Sequence, residues 1–196
     1  MKLLLLSDKE CPFLWDYYTP GKLDGIDLML SCGDLKASYL SFLVTMGHCP
    51  LLYVRGNHDV TFASAPPEGC DCIEDRVYLY KGLRILGMGG SRQYSSPVNQ
   101  YTEREMARRL RKVEPKIRKL GGIDIMLTHA APRNCGDAED YAHLGFEAFL
   151  PFLDKWQPKY LVHGHVHMNY GHNIERETQY KSTTVINAYE RYILDI

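Results

Sequence analysis

Five short runs of apolar residues constrain this chain more than any other feature: 2–6, 26–30, 51–54, 123–127 and 160–162. Each is too short for an ordinary helix and reads as a buried strand. Each also stops abruptly at side chains able to bind a ligand. The stops are Ser7-Asp8-Lys9-Glu10, Cys32-Gly33-Asp34, Gly56-Asn57-His58-Asp59, Thr128-His129-Ala130 and His163-Gly164-His165-Val166-His167. A buried strand that ends in an amide, an imidazole and a carboxylate is costly unless those groups find partners. A metal ion and a substrate are the most economical partners.

Between the runs, residues 36–46 predict a helix with Leu40, Leu43 and Val44 on one face. Residues 103–119 predict a basic helix with a kink or break at Pro115. A third helix is expected over 146–156, and a hairpin around Lys81-Gly82 joins strands at 76–80 and 83–88. The tail reads as two final strands near Thr183 and Tyr192. Strands alternating with helices predict an α/β fold with a parallel core sheet, in which functional groups collect at the carboxyl ends of strands. Loops are expected at 11–25, 60–70, 91–101 and 132–144. The chain has 196 residues, 45% of them hydrophobic, and shows no repeat or linker, so one domain over 1–196 is expected.

Composition removes several function classes. The net charge of −1 gives no general attraction to nucleic acid or membrane. No apolar run approaches a membrane span. The four leucines after Lys2 are too few for a signal peptide and end at once in Ser7-Asp8. The six cysteines are expected to be reduced, and Cys70-Asp71-Cys72 lacks the spacing of common zinc or redox motifs. A cytoplasmic location is expected.

The ligand-type residues at strand ends are Asp8, Glu10, Asp34, Asn57, His58, Asp59, His129, His165 and His167. Carboxylates and imidazoles without thiolate suit Mn, Fe, Zn or Co. His165 and His167 are two apart, so on an extended segment both rings face one side. Nine candidates exceed the needs of one ion, and a two-metal site able to hold a phosphoryl group would use them.

Five such motifs in this order resemble the calcineurin-like metallophosphoesterase superfamily, in its small single-domain class. The resemblance spans nearly the whole chain. It implies a four-layer fold of two mixed β-sheets packed as a sandwich and flanked by helices. It implies two divalent ions (Mn, Fe or Zn), with Asp8 and His167 on the first, Asp34 shared, and Asn57, His129 and His165 on the second. It implies hydrolysis of a phosphodiester or nucleotide-like phosphomonoester by a metal-bridging hydroxide, with His58 assisting the leaving oxygen and Asp59 as the nearby carboxylate able to orient His58. One position departs from the family pattern, since Glu10 stands where a histidine is usual. Glu10 then shifts the metal preference of the first site, weakens that site, or turns away from it.

Each residue alone has a plainer role. Asp8 and Asp34 could cap helices, Asn57 could serve a turn, and His129 could be a core histidine. Together and in order they favour the metal site. His163 reads as structural, and His48, His143 and His172 receive no role, although His143 is within reach of the site from its loop. Arg92 and Arg133 follow strand ends and are candidates to meet a phosphate. Trp15, Tyr17 and Tyr18 either stack on a base or cover the core. The basic helix reads as a solvated face before a nucleic-acid surface, so a small phosphorylated substrate is favoured over nucleic acid. The remaining alternatives are a nuclease and a scaffold protein of the same fold that has lost activity. No oligomeric state is legible.

Overall fold

The computed structural model describes residues 1–95, 98–169 and 175–196; part of the 91–101 loop and His172 lie outside them. The elements in order are β1 (Lys2–Leu6), β2 (Leu28–Ser31), α1 (Ala37–Gly47), β3 (Leu51–Tyr53), β4 (Asp71–Cys72), β5 (Arg76–Tyr80) and β6 (Leu83–Met88). There follow β7 (Ser91–Arg92), β8 (Gln100–Tyr101), α2 (Glu103–Lys119), β9 (Ile125–Thr128), α3 (Phe149–Trp156), β10 (Tyr160–His163), β11 (Glu177–Tyr180), β12 (Thr183–Asn187) and β13 (Tyr192–Asp195).

The apolar runs form the middles of two mixed sheets. One has the order β13-β1-β2-β3-β4 and the other β11-β12-β10-β9-β6-β5. Within the first, β1 to β4 are parallel and β13 joins antiparallel. Within the second, β12, β10, β9 and β6 are parallel, and β11 and β5 close the edges antiparallel.

Side-chain alternation then splits each run between two cores. Leu3, Leu5, Leu28, Leu30 and Leu52 meet Ile85, Ile125, Leu127, Val162 and Ile186 between the sheets. Leu4, Leu6, Met29 and Leu51 face outward and pack with Tyr39, Leu40 and Leu43 of α1. On the far side, Leu86, Met88, Met126, Leu161 and Val185 pack with Met106, Leu110, Val113 and Ile117 of α2 and with Phe149 and Phe152 of α3. The result is four layers, helix, sheet, sheet, helix. This is why the central strands are apolar over most of their length: neither face meets water. Each fully buried leucine contributes about 1.5–3 kcal/mol.

Three expectations need adjustment. Pro115 does not break α2, which runs unbroken through Lys119. The proline sits on the exposed face, so the Arg111 carbonyl deprived of its partner faces water. A capping box between Thr102 and Glu105 starts this helix. The third helix begins at Phe149 rather than 146, because Phe146 bridges Pro132 as a strand residue. The Glu103 carboxylate then receives the N–H groups of Glu147 and Ala148 at 3.0 and 2.9 Å. The edge strand β11 was not expected: Glu177-Thr178-Gln179-Tyr180 has no apolar run and alternates between exposed and half-buried positions. Among the described residues no helix is long and apolar enough to cross a membrane, and the six cysteines are free.

Candidate metal centre

The carboxyl ends of β1, β2 and β3 meet those of β9 and β10 at one rim of the sandwich. Backbone hydrogen bonds tie the ends together: Asp8 N–H to the Gly33 carbonyl at 3.1 Å, and Gly164 N–H to the His129 carbonyl at 2.9 Å. Side-chain carboxylates continue the lacing. Asp8 Oδ2 accepts the His165 N–H at 2.8 Å, and Asp34 Oδ1 accepts the His58 N–H at 2.8 Å. Asp8, Asp34 and His165 all adopt the left-handed backbone, with φ of 64°, 56° and 66°. That region costs an L-residue about 1–2 kcal/mol, least for short polar side chains. Three such residues at one rim mark a site where geometry outweighs local comfort.

Two glycines make the close approach possible. A Cβ on Gly56 would lie 2.0 Å from Asp34 Oδ1 and 2.7 Å from the His129 ring. A Cβ on Gly164 would lie 1.8 Å from Ser7 Oγ and 2.4 Å from Asp8 Oδ2. No side chain fits at either position without displacing a candidate ligand.

His129 is the electrostatic centre. Its ring is fully buried. Nδ1 lies 2.8 Å from the Cys32 carbonyl, which can only accept, so Nδ1 carries a proton. Nε2 faces Asn57 Oδ1 at 2.9 Å and Asp34 Oδ2 at 3.3 Å. Three electron-rich atoms in mutual contact require positive charge among them. Burial alone would pull the His129 pKa down, but the Asp34 carboxylate, its hydrogen bond and Asp8 lift it to about 9. For Asp34, burial would raise the pKa, but His129 holds it at about 2. Burial, reinforced by the charge on His129, pushes His165 down to about 3, so His165 stays neutral. The oxygens of Asn57 and Asp34 that favour a proton on His129 Nε2 would equally favour a divalent cation, and the donor set fits one. Asp34, His129 and His165 bring their ligand atoms within 4.8 Å of one another. Beside them, His167 Nε2 lies 3.7 Å from Asp8 Oδ1, with its ring 4.9 Å from that of Tyr189.

Asp8, Asp34, His58, His165 and His167 line a cleft of about 360 Å3, joined by Tyr94, Ala142 and His143. Glu10 takes the last of its three expected courses, and the expected roles of Asp59, Arg92 and Arg133 do not hold as stated. Glu10 turns away from the cleft: its Oε1 accepts the Lys36 N–H at 3.2 Å and lies 3.8 Å from Lys36 Nζ. It lines a neighbouring cleft, which shares Asp34 and His58 with the first. Asp59 does not orient the His58 ring. Its buried carboxylate accepts the Gly56 N–H at 2.7 Å and the Asp34 N–H at 2.8 Å, pinning the two loops together. Burial and the Asp34 charge lift Asp59 to about 7. Arg92 and Arg133 are absent from the cleft wall. Arg133 Nη1 donates to Asp137 at 2.7 Å, and Arg92 faces Glu103 at 4.0 Å.

Two residues without a sequence role do belong to the cleft. Tyr94 Oη accepts from Asn57 Nδ2 at 3.0 Å. The His143 ring lies 4.8 Å from that of His165, with Nδ1 held by Asp140 at 2.8 Å. Both come from loops that carry no local motif, and only their expected position after strand ends pointed to them. His163 is buried, gives Nδ1–H to the Gly164 carbonyl at 2.9 Å, and is kept neutral by burial with a pKa of about 4, in keeping with a structural role.

The profile of the calcineurin-like phosphoesterase superfamily domain matches residues 1–188. The chain belongs to the calcineurin-like phosphoesterase superfamily. Members of the superfamily typically bind divalent metals, in keeping with the donor set at this rim. One crystal structure similar to this superfamily member has a TM-score of 0.71 at 14% identity, covering 99% of this chain and 94% of that chain. TT1561 of Thermus thermophilus has a TM-score of 0.66 at 14% identity, covering 96% and 89%. These likenesses show the fold. Vps29 from Entamoeba histolytica, complexed with Zn2+, has a TM-score of 0.44 at 14% identity, covering 96% and 74%. A comparison with curated proteins gives no match.

Proposed function

We propose that this chain is a metal-dependent phosphoesterase acting on a small phosphodiester or a nucleotide-like phosphomonoester. The observation that carries the reading is the meeting of Asp34, His129 and His165 at one rim, with Asp8 and His167 beside them. In this reading Asp8 and His167 hold one divalent ion, Asn57, His129 and His165 hold a second, and Asp34 serves both. Glu10 is left out, because its carboxylate is engaged with Lys36. Bound ions supply Lewis acidity toward a phosphoryl oxygen and lower the pKa of a bound water.

The chain's own groups do the rest. The cleft has the size of a small-ligand site. His58 is exposed at its wall, and its main-chain N–H is fixed on Asp34 Oδ1. In this reading its ring gives a proton to the leaving oxygen, a step worth about 10²–10⁴-fold. Asp59 holds the Asp34 and Gly56 loops in register. The basic side chains of α2 do not line the cleft, and Arg109 is engaged with Asp75, the Gly89 carbonyl and the Tyr101 ring. This favours a small substrate over a nuclease.

The test is hydrolysis of bis-p-nitrophenyl phosphate and p-nitrophenyl phosphate by metal-stripped protein. Mn, Fe, Co, Ni, Zn and Mg are added back singly, with His58→Ala alongside. Metal-dependent turnover that falls at least about 100-fold in the variant is expected. Turnover equal in the variant removes His58 from the chemistry. A protein that takes up no metal and turns over nothing overturns the enzyme reading in favour of a scaffold.

A further inference from the structure

The roles above leave the hydroxyl of Tyr94, which lines the cleft, unused. Its position is tightly specified. Gln100 is buried, and its Oε1 accepts the N–H groups of Tyr94 and Ser95, both at 3.0 Å, while its Nε2 donates to Ser95 Oγ at 3.2 Å. The base of the loop is tied by the parallel pair β7–β8 and by the Gly90 N–H, which reaches the Arg55 carbonyl at 2.8 Å beside the end of β3. Arg109 stacks on the Tyr101 ring at 4.1 Å and donates to the Gly89 carbonyl at 2.7 Å. Tyr94 is thus held by a braced loop, not by a free tip.

The direction of its hydrogen bond follows from Asn57. The amide presents Oδ1 to His129 Nε2 at 2.9 Å and Nδ2 to Tyr94 at 3.0 Å. A divalent cation held by Asn57 Oδ1 would impose the same orientation. Asn57 Nδ2 can only donate, so Tyr94 Oη accepts at 3.0 Å. The phenolic proton must then go elsewhere. No described residue accepts it, and the space that Tyr94 lines is the cleft shared with Asp8, Asp34, His58, His165 and His167.

We propose that Tyr94 is a substrate-contacting residue whose hydroxyl donates to a non-bridging phosphoryl oxygen bound in this cleft. The proposal rests on the reading that a phosphoryl group binds there. The Arg92 and Arg133 guanidinium groups are held outside the cleft, and the phenol supplies a neutral donor on the side of Asn57. A phosphate gains a hydrogen bond without a fixed counter-charge, which suits a site whose positive charge comes from metal. Tyr94 then reads the phosphoryl group itself.

Tyr94→Phe keeps the ring and removes only the hydroxyl. The experiment measures binding of inorganic phosphate to the metal-loaded full chain by calorimetry, with metal content determined on the same samples. A loss of about 10- to 100-fold in phosphate affinity at wild-type metal content is expected, the size of one hydrogen bond to a charged group. The KM for p-nitrophenyl phosphate rises in parallel. Unchanged phosphate affinity overturns the proposal. So does metal content that falls in step with affinity, which would make Tyr94 a brace for Asn57 alone. Tyr94→Gln and Tyr94→Ala provide a second comparison. The Gln variant binds phosphate more tightly if a donor matters, and equally if only the ring does. A wild-type protein that takes up metal but binds no phosphate overturns the proposed function and this inference together. Phosphate binding without turnover leaves the Tyr94 comparison intact.

Discussion

Metal-free protein should lose stability as pH rises above neutrality, and His129 should be the cause. An unfolded chain releases the imidazole proton near 6.5, whereas the Asp34 carboxylate keeps it on the folded chain to about 9. Between those values only the folded state holds the proton. The stabilisation is complete below 6.5 and is lost as pH climbs through about 9. The whole gap corresponds to about 3 kcal/mol, of which about 2 kcal/mol disappears between roughly pH 7 and 8.5. For a chain of this length that is a fall of roughly 4–8 °C in melting temperature. Raised thiol pKa values at Cys11, Cys32 and Cys49 also favour the unfolded state at alkaline pH. The measurement is therefore a difference: melting of chelator-treated wild type against chelator-treated His129→Gln, at several pH values on either side of neutrality. The thiol contribution cancels and the imidazole contribution remains. Equal slopes for the two proteins would refute the account of His129 as a proton held where a cation belongs. In metal-loaded protein the ion replaces the proton, and this part of the slope should vanish.

Asp59→Ala orphans the N–H groups of Asp34 and Gly56, at about 1–3 kcal/mol each, but relieves the burial that lifts this carboxyl to about 7. A net loss of about 2 kcal/mol in denaturant unfolding is expected, with weakened metal uptake because Asp34 is no longer pinned; unchanged stability and metal affinity would contradict the bracing role. Glu10→Ala should leave metal content unchanged and cost under about 1 kcal/mol, since it removes one partly exposed hydrogen bond to Lys36. Metal loss in that variant would show that Glu10 swings into the site.

Much of the centre was legible without coordinates. The motifs at 8, 34, 57, 129, 165 and 167 each follow an apolar run, and a parallel sheet brings strand ends together whatever the loops do. The roles of Glu10 and Asp59 were not legible, although both stand in motifs. Whether a carboxylate next to a ligand turns into the cleft or away depends on which N–H groups it meets. Those belong to Lys36 for Glu10, and to Asp34 and Gly56 for Asp59. Lys36 and Asp34 are distant in the chain from the carboxylates they meet. Arg92 and Arg133 failed for a different reason: each cation is engaged with an acid close by in the chain, Glu103 and Asp137.

The sequence by itself determined the type of most elements. The apolar runs read as buried strands and residues 103–119 as a helix, while the four layers followed only from the family resemblance. It also determined the side-chain types at the rim, because carboxylates, an amide and imidazoles stand directly after the apolar runs. The tertiary structure decided the rest. It placed the polar strand β11 on β12, drew the end of one sheet to the end of the other through His129 and Cys32, and brought Tyr94 to Asn57 across 37 residues of chain. Local pattern fixes what an element is because backbone geometry repeats along it. It does not fix where a side chain ends up once it leaves a strand, because that depends on partners supplied only when distant strands have packed.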